Sequence, residues 1–289
     1  MKISEILAKG GPSVSFEVFP PKKDRPLEGT KEIVAQIAAA APSFMSVTYG
    51  AAGGSTGANT RAIAEHVQKS CGVPVLAHLT CVGATRESIG REVESFREAG
   101  IENILCLRGD CPPGIEFPGN AAFMHASDLV RELSGKGFCL GGACYPEVHP
   151  ESVHFADDIA HVKEKVDAGL DFLTTQMFFD NNVYFHYLAR LRDAGVTVPV
   201  VAGIMPVTNG RQIARICELS GTSLPPRFRA IVDRFGDDPA AMLDAGVAYA
   251  TEQIIDLFAN GVGHVHVYTM NKPELARRIM DNLAGILAR

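Results

Sequence analysis

Residues 13–24 read SVSFEVFPPKKD. The first seven have the length and apolar, partly β-branched character of a strand, and the two prolines end it. The turn after this strand separates two folds. A doubly wound open sheet places a glycine-rich GxGxxG turn directly after its first strand, to cradle a dinucleotide. Here the chain leaves the strand through EVFPPKKD, with no such turn. Working outward, further strand patterns lie at 44–49, 73–80, 103–107, 138–145, 171–177, 198–204 and 263–269.

Helical periodicity fills the intervals, at 30–40, 86–99, 156–168, 182–194 and 211–219. In the second of these, Ile89, Val93 and Phe96 fall at i, i+4, i+7 and so share one face. Glycine just past a last turn, as in EAG before Ile101 and DAG before Leu170 and Val196, is the expected left-handed cap. Eight βα units in 289 residues match the size of a closed (β/α)8 TIM-type barrel, which runs to about 250 residues. A helix pair at 225–235 and 239–260 is inserted before the last strand, and an irregular Pro- and Gly-rich stretch at 108–120 comes after the fourth. The whole chain, 1–289, therefore reads as one domain.

Composition narrows the class. Hydrophobic residues make up 46% and charged residues 21%, which excludes disordered, collagenous and coiled-coil chains. The formal net charge of −6 lacks the basic footprint of a nucleic-acid binder. No apolar run reaches the roughly 18 residues of a membrane span, and the N-terminus has no signal-peptide pattern. Seven cysteines without a CxxC pair point to a reducing cytoplasm.

In such a barrel the chemistry gathers where strands end. Glu17 interrupts an apolar strand, so desolvation should raise its pKa and make it a candidate general acid. The alternative is a structural salt bridge to Arg108 or Lys22. Arg108-Gly109-Asp110 ends the fourth strand. It combines a planar cation, a residue that permits close approach and an acceptor, or it is simply a turn. Tyr145, Glu147 and His149 come after the fifth strand, and Thr174 and Gln176 end the sixth. His264 and His266 form an HxH pair with no accompanying metal ligands, which favours hydrogen-bonded core histidines over a metal-dependent barrel hydrolase. The glycine-rich loop 50–57 matches neither nucleotide fingerprint. Lys163 and Lys165 read as solvated, although an anionic ligand in an acidic chain would need a local cation such as Lys165.

The collinear motifs SFEVFPPK (15–22), SVTYGAAGGST (46–56), AHLTC (77–81) and LRGDCPPG (107–114) resemble the methylenetetrahydrofolate reductase family. So do ACYPEVHPES (143–152), KVDAG (165–169), TQMFFD (175–180), PVTN (206–209) and HVYTMNK (266–272). The resemblance spans nearly the whole chain. It implies a barrel that holds FAD noncovalently and reduces 5,10-methylenetetrahydrofolate to 5-methyltetrahydrofolate with NADH or NADPH. Hydride would pass through the flavin in a ping-pong scheme that supplies methyl groups for methionine synthesis.

By the same resemblance, Glu17 is the acid that protonates N10, and Asp110 contacts both flavin and pterin. Gln176, Gln212 and Lys272 join them on the folate. Thr48, Tyr49, Ala51, His78, Arg108, Gly109, Asp110, Tyr145, His149, Asp158, His161 and Lys165 fall at flavin positions, with no metal. Relatives also suggest a homo-oligomer, no membrane or nucleic-acid partner, and no room in this length for a regulatory domain. Three departures stand out: GGSTGANT where relatives have GGSTRDRT, Lys272 in place of Arg, and Ile216 in place of an aromatic residue. They leave open a folate- or flavin-binding protein without turnover.

Overall fold

The computed structural model describes residues 1–21, 26–49, 56–111 and 122–288. Eight parallel strands close into a barrel in chain order. They are β1 (Ser13–Val18), β2 (Met45–Val47), β3 (Val75–Thr80), β4 (Asn103–Leu107), β5 (Cys139–Cys144), β6 (Phe172–Thr175), β7 (Val200–Ile204) and β8 (His264–Tyr268). The ring is sealed by β1 against β8, in register from Ser13↔His264 to Glu17↔Tyr268. All eight strand patterns of the sequence are present, trimmed at their ends.

A short helix α1 (Ile3–Ala8) precedes the first strand. The units then carry α2 (Leu27–Ala38), α3 (Thr56–Glu65), α4 (Arg86–Glu98), α5 (Ala126–Leu133), α6 (Phe155–Asp167) and α7 (Asn181–Asp193). A π-helical turn, His66–Ser70, continues α3. Between β7 and β8 lie α8 (Gly210–Ser220), α9 (Pro226–Phe235) and α10 (Pro239–Ala259), and α11 (Pro273–Leu287) comes after β8. Gly100, Gly169 and Gly195 adopt φ of 77°, 122° and 80°, the left-handed region expected of helix-ending glycines.

Period-2 alternation sorts the strand residues. In β1, Val14, Phe16 and Val18 join the large apolar core between sheet and helices. Ser13, Ser15 and Glu17 therefore point into the barrel. The interior floor is apolar: Ile3, Ile6 and Leu7 of α1 plug it against Phe44, Leu76, Leu105, Cys139, Phe172 and Val201. Asn103 pins the plug by accepting from Ile3 N at 2.8 Å and donating to Val75 O at 2.9 Å. A separate apolar cluster of Met177, Phe179, Val207, Ile213, Phe228 and Met242 seats α8, α9 and α10 on the segments that leave β6 and β7. Among the described residues no helix is long and apolar enough to cross a membrane.

The floor leaves no spare volume. A Cβ on Gly141 would lie 2.5 Å from the Phe172 ring. Gly141→Ala should therefore destabilise the protein by about 1–3 kcal/mol, the usual range for overpacking. Adding Phe172→Leu should return part of that loss. Urea unfolding midpoints of the two variants check both expectations.

Candidate functional site

Polar side chains accumulate above the apolar floor, and each layer is satisfied differently. In the middle layer His266 is buried, and both of its ring nitrogens are engaged. Nδ1 lies 2.7 Å from Ser15 Oγ and Nε2 lies 2.9 Å from Ser46 Oγ. Ser15 has a single hydroxyl proton and Val265 O within 3.0 Å to receive it. That assigns the His266 proton to Nδ1, with Ser46 donating to Nε2. Burial pushes the imidazole pKa down to about 3, so the ring is neutral. His264 is held in the same way, by Ser13 Oγ at 2.6 Å and Leu7 O at 2.9 Å. The HxH pair is thus committed to the barrel's own polar groups. Among the described residues no cluster of three metal-ligating side chains forms.

One layer higher stands Glu17. Its side chain keeps 22% of its surface open, and its Oε2 lies 3.7 Å from Nε2 of the buried His78. That separation satisfies an ion-pair distance, yet the pair is neutral. Desolvation raises the Glu17 carboxyl to about 8 and drops the His78 imidazole to about 3. Without hydrogen-bond geometry, the mutual attraction does not offset the cost of burying both charges. Arg108, one of the two salt-bridge partners that the sequence suggests, is engaged elsewhere, and Lys22 lies outside the described residues. Tyr268, paired in register with Glu17, donates its hydroxyl to Thr175 O at 2.6 Å. Glu17 is therefore a carboxylic acid carrying its proton at neutral pH, at the open end of a closed barrel.

A cleft of about 520 Å³, whose lining does not include Glu17, lies over the β3–β5 side of the mouth, within the usual range of small-molecule sites. Tyr49, Arg108, Gly109, Asp110, Tyr145, His149, Asp158, His161 and Lys165 line it, so one concavity collects most of the residues singled out in the sequence. Its wall also includes Thr80, a polar residue at the end of the third strand pattern, and His125, Glu151 and Ser152, which sequence reading did not select. Thr48 and His78 lie outside this lining, and Ala51 falls outside the described residues.

Local interactions set each side chain. Gly109 has φ +88°, and a Cβ there would meet Val82 at 2.8 Å and Thr80 at 3.0 Å. What approaches this glycine is therefore the protein's own β3 exit. Arg108 forms a bidentate pair with Glu151 at 2.5 and 2.6 Å. Tyr145 packs edge-on to His149, with ring centres 4.6 Å apart, and burial and then Asp110 raise its phenol to about 12. His149 accepts at Nδ1 from Glu151 N at 3.1 Å. The solvated reading of Lys165 is corrected: its Nζ turns inward and donates to Ala143 O at 2.6 Å, and burial lowers its pKa. Asp158 Oδ1 is held by Ser152 Oγ at 3.1 Å, whereas its buried Oδ2 has no partner.

The residues assigned to the folate are more dispersed. Gln176 sits past β6, with Oε1 on Met177 N at 3.0 Å. Gln212 is exposed in the first turn of α8. Lys272 is exposed at the N-cap of α11, and its Nζ donates to Thr208 Oγ1. Ile216 packs against the cluster beneath α8. Of the departing loop GGSTGANT, residues 53–55 lie outside the described residues. Gly57, in α3, leaves room for the Glu92 carboxylate, 2.5 Å from where a Cβ would stand.

A family model described as methylenetetrahydrofolate reductase matches residues 2–284. The Escherichia coli 5,10-methylenetetrahydrofolate reductase is 33% identical over 276 residues, covering 95% of this chain and 92% of its own. The Zea mays methylenetetrahydrofolate reductase (NADH) 1 is 35% identical over 99% of this chain, which spans only 50% of that protein. The chain thus spans about half the length of its plant relatives. Among solved structures, an uncharacterized protein from Clostridium thermocellum that binds two copies of 5-methyl-5,6,7,8-tetrahydrofolic acid superposes with a TM-score of 0.68 at 15% identity. It covers 97% of this chain and 99% of its own, a likeness of fold.

The raised Glu17 pKa makes a stability prediction. Between about 4.5 and 8 the folded chain holds a proton that the unfolded chain releases, so this group's contribution falls as pH rises through that window. Glu17→Gln removes the dependence. The variant should gain on the native protein between pH 5 and pH 8, by at most a few kcal/mol at about 1.4 per pKa unit. Urea unfolding of both proteins at the two pH values measures the difference, in which other titrating groups cancel.

Proposed function

The chain belongs to the methylenetetrahydrofolate reductase family, and from that premise we propose that it reduces 5,10-methylenetetrahydrofolate to 5-methyltetrahydrofolate. NADH or NADPH would be the hydride donor, and FAD would be held noncovalently in the cleft. The observation that carries the reading is Glu17, a protonated carboxylic acid at the same end of the barrel as a cleft lined by the family's motif residues.

The cleft's donors and acceptors fit a flavin dinucleotide. Lys165 keeps two N–H donors beyond its bond to Ala143 O, and Arg108 adds a planar fork, so both suit a diphosphate. The buried, unpartnered Asp158 Oδ2 suits a ligand hydroxyl. Tyr49, Tyr145 and His149 offer flat surfaces, and Asp110 stands exposed at the rim. When bound, the flavin supplies hydride transport between nicotinamide and the one-carbon unit.

The protein's own part is proton chemistry and placement. As the five-membered ring of the substrate opens, the bond from the one-carbon unit to N10 breaks and its electron pair stays on N10. Glu17 gives N10 its proton, and the cationic iminium left at N5 accepts hydride. Only the neutral acid can do this, which is why a desolvated carboxyl serves where a solvated one would already have ionised. Gln176 at the mouth and the Lys272 cation at its edge would orient the pterin and the anionic tail. Lys272 supplies charge without the bidentate geometry of Arg.

Purified protein should be yellow, or become so on adding FAD, and protein that takes up no flavin would overturn the reading. Glu17→Gln should abolish folate reduction while NADH still bleaches the flavin band at close to the native rate, measured by anaerobic rapid mixing. Loss of folate reduction above pH 8 in the native protein should track ionisation of the same group.

A further inference from the structure

The β1–β8 ladder ends at Glu17↔Tyr268, but the two segments stay joined beyond it. The fully buried Thr269 donates its Oγ1 to Glu17 O at 2.6 Å. Asn271 then brackets Phe19 with both ends of its amide: Oδ1 accepts from Phe19 N at 3.0 Å, and Nδ2 donates to Phe19 O at 2.9 Å. Three side-chain hydrogen bonds thus take over where the backbone ladder stops. The sequence shows why they are needed. Pro20 and Pro21 come directly after Phe19 and have no N–H with which to extend the ladder. On its other side β1 stays laddered to β2 through Val18↔Val47, with Thr48 N donating to Val18 O at 3.0 Å, so on the β8 side, among the described residues, these side chains alone carry the pairing past Glu17.

The turn supplying these groups adopts an unusual backbone to do so. Met270 and Asn271 have φ of 52° and 53°, in the left-handed region that residues other than glycine seldom take. Glycine would take this conformation without strain but has no side chain with which to reach Phe19. With Asn, the side-chain amide is brought back over Phe19.

We propose that Thr269 and Asn271 are positioning residues for Glu17, fixing the main chain on its C-terminal side so that the acid's proton points at the substrate. The inference rests on Glu17 being the acid of the folate step. Both groups are neutral and hydrogen-bond only to backbone here, so they act by placement. Removing either should slow the step that uses the Glu17 proton and spare the step that does not. Misplacement on this scale costs on the order of 10- to 100-fold in rate.

The test uses the FAD-loaded protein under anaerobic rapid mixing. Bleaching of the flavin band by NADH reads one half-reaction, and its return on adding 5,10-methylenetetrahydrofolate reads the other. FAD affinity is followed separately by fluorescence. Thr269→Val and Asn271→Ala should slow the return roughly 10- to 100-fold while leaving bleaching and FAD affinity within about twofold. Thr269→Ser, which keeps the hydroxyl, should restore the return. If Glu17→Gln blocks the return and the Val and Ala variants do not slow it, the positioning role is overturned while the acid role stands. Equal slowing of both half-reactions, or no rescue by Ser, overturns it as well and leaves a merely structural turn. If Glu17→Gln leaves the return intact, the acid role fails and this inference fails with it. Thr269→Val is nearly isosteric, so the comparison survives even where Asn271→Ala does not fold.

Discussion

Closure of the strand ring is the constraint on which the rest depends. A closed parallel barrel has no edge, and its period-2 alternation drives every second strand residue into an interior that must be filled. A polar residue sent inward can pair inside or lie at the open end. At the bottom, α1 removes the question by plugging the floor with Ile3, Ile6 and Leu7. In the middle, His266 is accommodated because Ser15 and Ser46 arrive from neighbouring strands to meet both ring nitrogens. At the top, among the described residues, no such pair of hydroxyls reaches Glu17, and there the barrel opens. The carboxyl that keeps its proton stands at that open end.

The same constraint explains why Glu17 and His78 are neutral. Two ionisable groups 3.7 Å apart on a surface would form an ordinary ion pair. Inside a barrel wall, desolvation acts on each separately, raising the acid and lowering the base, and the space between them is too wide for the hydrogen bond that would favour charge. The outcome is a proton kept on the carboxyl by lack of water. An acid made in this way needs only the removal of solvent, which a ligand over the mouth would complete.

Much of this was legible in the sequence, unevenly. The strands were, because β-branched and apolar runs bounded by Gly and Pro are local signals. The helices α3 and α5 were not. The eight-residue α5 is shorter than the window over which periodicity can be read, and α3 begins inside a glycine-rich loop with Gly57 and Asn59 in its first turns. Glu17 was legible because a carboxylate in an apolar strand is costly anywhere it is buried. The inward turn of Lys165 was not, since its partner is a backbone carbonyl 22 residues away. The roles of Thr269 and Asn271 were hidden for a related reason. Their partners are main-chain atoms about 252 residues distant, and backbone carries no sequence signature. Register across the β1–β8 seam had to be seen before TMN could be read as more than a turn.

Charge at the cleft resolves a tension in the composition. If the proposed anionic cofactor binds, a chain of net charge −6 must concentrate cations locally, yet Arg108 is already paired with Glu151. The Glu151 side chain is 61% exposed and that of Arg108 20%, so solvent reaches the pair from the carboxylate side. A phosphate in the cleft would compete with this carboxylate for the guanidinium, which the bidentate contact holds at the cleft wall. Lys165 complements it from the part-buried side, where the Ala143 carbonyl fixes its direction. One cation is thus held by an exchangeable carboxylate at the rim and the other by a backbone atom that cannot leave. The two cations share the cleft wall with the carboxylates of Asp110, Glu151, Asp158 and Glu164, so their placement, and not the net charge of the wall, would favour an anion.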